Sequence, residues 1–253
     1  MILHKVLRRG SDHADFCQDA IAIGETEKCI YLCVFDGCSG GKDSHFASTL
    51  FSKAFDEIIS NFSTTLNVGG MSLENNSKFI IYMMTRKINE VKHVLHLETI
   101  ELLSTMIMCS INKETKECVI CAFGDGYFRV DDVEKIIKNT RFVDKDNGDN
   151  MPDYIAYDLD KIVTYEDFEL WFSQKSEIHR FENIKDAAIA SDGICTFKNF
   201  KDCSVILNPI EFLVKDESLM GTKNMLERKY NIIQSKSCMI NTDDLSVIRI
   251  KFE

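Results

Sequence analysis

The 253 residues carry 30 Lys and Arg against 40 Asp and Glu, a formal net charge of -10, and 45% of them are apolar. A chain this long can bury a substantial core, and its two prolines, Pro152 and Pro209, mark no linker, so residues 1–253 are expected to form a single domain. An acidic chain with no dense basic cluster beyond Arg8-Arg9 speaks against nucleic-acid binding, and no apolar run approaches the ~18 residues of a membrane span.

The N-terminus lacks the basic, apolar and small-residue pattern of a secretory signal. That predicts a cytoplasmic protein whose ten cysteines are reduced thiols. Residues 19–24 and 29–35 read as two strands joined by the polar link 25–28, a hairpin. The second strand stops in Asp36-Gly37-Cys38-Ser39-Gly40-Gly41, a turn-rich stretch. A helix follows, with Phe46, Leu50, Ala54, Phe55, Ile58 and Phe62 at three- and four-residue steps. Residues 63–76 read as a loop, and 77–97 as a second helix burying Ile80, Met83, Met84, Ile88, Val91 and Leu95.

Strands return at 104–111 and 117–123, and the second ends in Gly124-Asp125-Gly126, with 127–130 as the next strand. The Asp-, Asn- and Lys-rich residues 131–160 give no assignable pattern. Residues 161–172 and 186–191 read as strands, the latter ending in Asp192-Gly193, before a helical region at 210–233. Asp243-Asp244 then opens a β-branched final strand. Short turns between strands imply antiparallel pairing, and helices that come in pairs imply an α+β layered fold. Cys118 and Cys121 form a C-x-x-C inside a strand, where i and i+3 face opposite sides, so no metal or redox pair is expected of them. Cys29 and Cys33 share a face and read as core.

Asp36, Asp125 and Asp192 each close an apolar strand and precede a glycine; Asp19 and Asp243 open strands. Asp-Gly alone is a common turn. Strand ends on one side of a sheet can converge, however, and clustered carboxylates raise one another's pKa unless a cation neutralises them. Oxygen-only ligands suit Mg2+ or Mn2+.

The order of these motifs resembles the metal-dependent PPM/PP2C family of protein serine/threonine phosphatases, in its bacterial-type form. Gln18-Asp19 resembles its first aspartate motif, Asp36-Gly37-Cys38-Ser39-Gly40-Gly41 its D-G-x-x-G, and Ser104-Thr105 with Gly124-Asp125-Gly126 its G-S/T-T strand and G-D-S/G. Ala190-Ser191-Asp192-Gly193 matches A-S-D-G, and Asp243-Asp244-Leu245-Ser246-Val247-Ile248 the closing motif. The resemblance runs from residue 18 to 250. It implies a four-layer αββα architecture, a central antiparallel β-sandwich flanked by helices. It implies two metal ions, Mg2+ or Mn2+, with Asp36 bridging, Asp19 and the Gly37 carbonyl on one ion, Asp192 and Asp243 on the other, and Asp125 with Asp192 at a third position. The implied catalytic set is Asp36, Asp19, Asp192 and Asp243, and the implied reaction is attack of metal-activated water on phosphoserine or phosphothreonine in a protein substrate, by a monomer.

The sequence departs from the pattern where many members carry a phosphate-binding arginine before the first aspartate. Here that position is Ala14, and His13, Arg8 and Arg9 are the candidate substitutes, with His13 also readable as a surface histidine. Residues 142–185 stand in place of the family's flap, the expected seat of substrate choice, and Trp171, Phe172 and His179 read as packing or surface residues. Two alternatives stay open: a catalytically weak or inactive relative that binds a signalling partner, and a phosphatase of non-protein phosphoesters.

Overall fold

The computed structural model describes residues 1–41, 44–65, 71–143, 150–203, 205 and 207–252. The chain runs β1 (Ile2–Arg8), β2 (Asp19–Glu25), β3 (Cys29–Asp36), α1 (Ser44–Thr65), α2 (Leu73–Leu95), β4 (Met106–Asn112), β5 (Cys118–Phe123), β6 (Asp125–Val130), β7 (Val133–Lys138), β8 (Thr140–Val143) and β9 (Asn150–Pro152). It continues with α3 (Tyr165–Lys175), β10 (Glu177–Phe181), β11 (Asp186–Ala190), β12 (Phe197–Asn199), α4 (Pro209–Val214), α5 (Met225–Lys236), β13 (Met239–Asn241) and β14 (Leu245–Lys251). One five-stranded antiparallel sheet has the order β1-β14-β11-β6-β7, and a second has β10-β5-β4-β3-β2.

Strand alternation divides the apolar residues between layers. Ile30, Leu32 and Val34 of β3 meet Phe128, Ile189, Ile248 and Ile250 of the other sheet in the inter-sheet core. The opposite face of β3, with Tyr31, Cys33 and Phe35, packs against Phe51 and Phe55 of α1, Ile80 and Met84 of α2 and Phe168 of α3. On the far side, Val6, Ala188, Ala190 and Val247 pack under Leu213 of α4 and Met225, Tyr230 and Ile233 of α5. The result is the expected αββα layering. Cys118 falls in the inter-sheet core and Cys121 in the helix-covered one, so the C-x-x-C pair does face opposite ways.

Several expectations need correction. Residues 161–172 do not form a strand; α3 starts at Tyr165, capped by the Thr164 side chain, which accepts from Asp167 N while the Asp167 carboxylate accepts from Thr164 N. The stretch 63–76 is not all loop, since α1 extends to Thr65 and α2 begins at Leu73 behind a Ser72 cap; residues 66–70 lie outside the described residues. The region at 210–233 holds two helices, α4 and α5. Cys203 and Cys238 are paired as a disulfide, with Cα atoms 5.9 Å apart, so the ten cysteines are not all free thiols. Thirty-five residues separate the two in sequence, and only the fold brings the loop after β12 onto the residue that precedes β13.

Candidate metal centre and its setting

β2 and β3 pair in a register that sets Asp19 directly across from Asp36. Beyond Asp36 the chain stays fixed: Gly37 N donates to Gln18 O at 3.1 Å, Thr105 N to Asp36 O at 2.8 Å and Cys38 N to Leu103 O at 3.1 Å. A side chain at residue 37 would stand 2.1 Å from Ser44 O, so the turn into α1 demands glycine. Gly124-Asp125-Gly126 carries the chain from β5 in one sheet to β6 in the other. Both glycines have positive φ, 83° and 144°, values that L side chains rarely adopt. Asp192 leaves β11 in a single helical turn, and Gly193 packs so closely on Asp244 O that a Cβ would lie 1.8 Å from it.

These strand ends, drawn from both sheets, bring carboxylate oxygens of Asp36, Asp125 and Asp192 within 4.8 Å of one another. Asp19 borders the cluster from β2 and is 4% exposed, and neither of its carboxylate oxygens has a hydrogen-bond partner. One oxygen of Asp192 and the Ser246 hydroxyl are likewise buried and unpartnered. Asp243 stands at the edge, outside the close trio. Its Oδ1 accepts from Asp244 N at 2.8 Å, and its side chain is 39% exposed.

Burial and mutual repulsion shift these carboxyls. Burial, then the charge of Asp19 and of Asp192, holds the Asp36 carboxyl well above the usual carboxylate range. Burial pushes Asp19 up to about 7. Burial and the Asp192 charge push Asp125 up to about 7. Asp192 is raised by burial and then by the charge of Asp243, with contacts to Asp36 and to the Gly193 N–H opposing. Buried carboxylates are ordinarily hydrogen-bonded or paired. Converging ones with orphaned oxygens fit hard divalent cations, which take oxygen ligands and offset the mutual repulsion.

Three residues beside the centre were not singled out as its supports from sequence. Asp244, 1% exposed, accepts from Gly10 N at 2.6 Å and from Gln18 N, and its Oδ2 lies 2.9 Å from His13 Nδ1. It therefore ties the loop from 9 to 18 onto the closing strand. His13 Nε2 lies 3.5 Å from Asp243 Oδ1, and its side chain is mostly buried, which corrects the reading of a surface histidine. Ser191 links the two strand ends: its hydroxyl donates to Asp244 O and accepts from Ser246 N. The doubled Asp243-Asp244 was the available signal, because alternation turns two neighbouring residues to opposite sides.

The candidate arginines point elsewhere. Arg8 pairs with Glu227 and lies over the Tyr230 ring, and Arg9 donates to the carbonyls of Ala14 and Asp15. Trp171 stacks on Phe123 with centroids 5.0 Å apart, Phe172 is buried, and His179 contacts Glu177 and the Phe128 ring. All three are packing residues.

A family model described as protein phosphatase 2C matches residues 9–222. No curated protein matches the chain in sequence. Among solved structures, the serine/threonine phosphatase Stp1 from Staphylococcus aureus aligns with a TM-score of 0.62 at 16% identity, covering 100% of this chain and 96% of that one. A bacterial serine phosphatase aligns at 0.58 and 14%, covering 99% and 97%. RsbX, solved in complex with magnesium, aligns at 0.50 and 14%, covering 98% and 92%. At such identities the structures speak for the fold alone, while the family model spans most of the sequence: this chain belongs to the protein phosphatase 2C family.

Proposed function

We propose that this protein hydrolyses phosphoserine and phosphothreonine esters in proteins, using divalent cations, Mg2+ or Mn2+, held by Asp19, Asp36, the Gly37 carbonyl, Asp192 and Asp243, with Asp125 and Asp192 at a third position. The observation that carries this reading is the convergence of Asp36, Asp125 and Asp192 oxygens within 4.8 Å beside the orphaned carboxylate of Asp19. When bound, such ions offset the phosphoryl charge and lower the pKa of a water to the point where it can act as nucleophile near neutral pH.

The chain's own contribution is placement. The β2–β3 register fixes Asp19 against Asp36, the two positive-φ glycines flank Asp125, and Gly193 lets the turn that carries Asp192 pack on the Asp244 carbonyl. Asp244 restrains the 9–18 loop through two backbone N–H groups, so the approach to the centre is shaped before substrate arrives. We read the protein as a monomer. Among the described residues no helix is long and apolar enough to cross a membrane.

The test is a comparison of substrates with the metal-loaded protein. A phosphothreonine peptide should be cleaved at a higher kcat/KM than p-nitrophenyl phosphate. Cleavage of small phosphoesters without cleavage of phosphopeptides would overturn the protein-substrate reading.

A further inference from the structure

We propose that the pocket beside the acidic centre is a subsite for an arginine side chain flanking the phosphorylated residue. This rests on the phosphatase reading and names the kind of phosphoprotein segment the site would prefer. The pocket has a volume of about 460 Å³, and its wall includes Asp12, His13, Asp15, Phe16, Ser39 and His45. It lies between the 9–18 loop and the turn that follows Asp36, and His13, 3.5 Å from Asp243 Oδ1, connects it to the acidic centre.

Three observations define what it would accept. First, Phe16 is 60% exposed although it is a large apolar side chain, and it is held by stacking on His45 with centroids 4.5 Å apart and planes 26° from parallel. An exposed ring fixed in this way is a platform for a cation or a planar group. Second, two acidic residues, Asp12 and Asp15, line the same wall. A phosphate dianion is repelled by such a wall and a side-chain cation attracted. Third, Arg9 braces the loop through the carbonyls of Ala14 and Asp15, which keeps Asp15 and Phe16 in place. Among cationic side chains, the planar guanidinium both stacks on an aromatic face and forks toward a carboxylate; an ammonium does only part of this.

The experiment uses phosphothreonine peptides in which Arg, Lys, Leu or Glu is placed in turn at each flanking position, with the Mn2+-loaded protein. The best Arg peptide should exceed its Leu counterpart in kcat/KM by about tenfold, with Lys between and Glu below Leu. In Phe16→Ala, and separately in Asp12→Asn/Asp15→Asn, the Arg-to-Leu ratio should collapse toward one. Equal rates for Arg and Leu peptides in the unmodified protein, or a ratio that survives both variants, would overturn the subsite. Fluorescence anisotropy of the same peptides on Asp36→Asn reads the pocket without turnover. An Arg preference there would support the subsite even if the unmodified protein hydrolysed nothing, which would overturn the enzymatic reading alone; equal binding of Arg and Leu peptides would overturn the subsite.

Discussion

Asp19 and Asp125 carry an expectation about pH that needs no substrate. In the folded, metal-free chain both carboxyls sit at about 7, pushed up first by burial, against a value of 3.8 in an open chain. The folded state holds protons that the unfolded state releases. Their stabilising effect is therefore complete below about pH 4 and is lost as pH rises through about 7. In EDTA, Tm should fall across that window, each kcal/mol being worth about 2–4 °C in a chain of this size. Saturating Mn2+ should raise Tm most at the upper end, because a ligand that binds only the folded state stabilises it and this site binds deprotonated carboxylates. A metal-free Tm that rises steadily from pH 4 to 7 would contradict the assigned environment of these two aspartates. Also at this scale, Asp244→Ala would leave Gly10 N and Gln18 N without their shared acceptor and remove the carboxylate beside His13. We expect a loss of about 2–4 kcal/mol in stability and weaker Mn2+ binding by calorimetry.

The elements show what the sequence made legible and what it hid. The hairpin β2–β3 was readable because apolar runs meet a four-residue polar link, β11 because its apolar run leads into Asp192, and β14 because a β-branched run starts after Asp243-Asp244. The aspartates themselves were readable through their order and their glycines. What was hidden depended on contacts remote in sequence: the Asp244 clamp on the 9–18 loop, the Cys203–Cys238 pair, and the pairing of β1 with β14 across the whole chain. α3 was misread because its short apolar run satisfies both periods; the deciding signals were the Thr164/Asp167 box and the spacing of Phe168, Trp171 and Phe172. Since Phe168 is fully buried between α2, α3 and the sheet, Phe168→Ala should cost about 3–5 kcal/mol by urea unfolding. A loss under 1 kcal/mol would mean that α3 does not pack as described.

Across the whole molecule, an ion cluster joins the sheet β1-β14-β11-β6-β7 to its helical cover. Arg249, 0% exposed, reaches the Asp186 carboxylate at 2.6 and 3.1 Å, and Arg129 reaches the same carboxylate at 3.0 Å. The two guanidiniums also donate to the carbonyls of Asp216 and Val214, which ends α4 onto β14 and β6. Asp186→Asn would leave the buried Arg249 and the partly buried Arg129 short of a counter-charge, at a cost of about 3–5 kcal/mol. Because β11 and β14 are the strands that present Asp192 and Asp243, the loss should also weaken metal binding; unchanged unfolding midpoints would show that the cluster is idle.

The central claim is that the converging aspartates of the two sheets form a metal-dependent phosphohydrolase centre, and hydrolysis of p-nitrophenyl phosphate with Mn2+, with Mg2+ and with EDTA, alongside Asp36→Asn, tests it most directly. The account predicts turnover that requires the metal, disappears in EDTA, and falls by more than about a hundredfold in a folded Asp36→Asn protein. Turnover that persists in EDTA, a fully active Asp36→Asn protein, or a well-folded native protein inactive with either metal would contradict it.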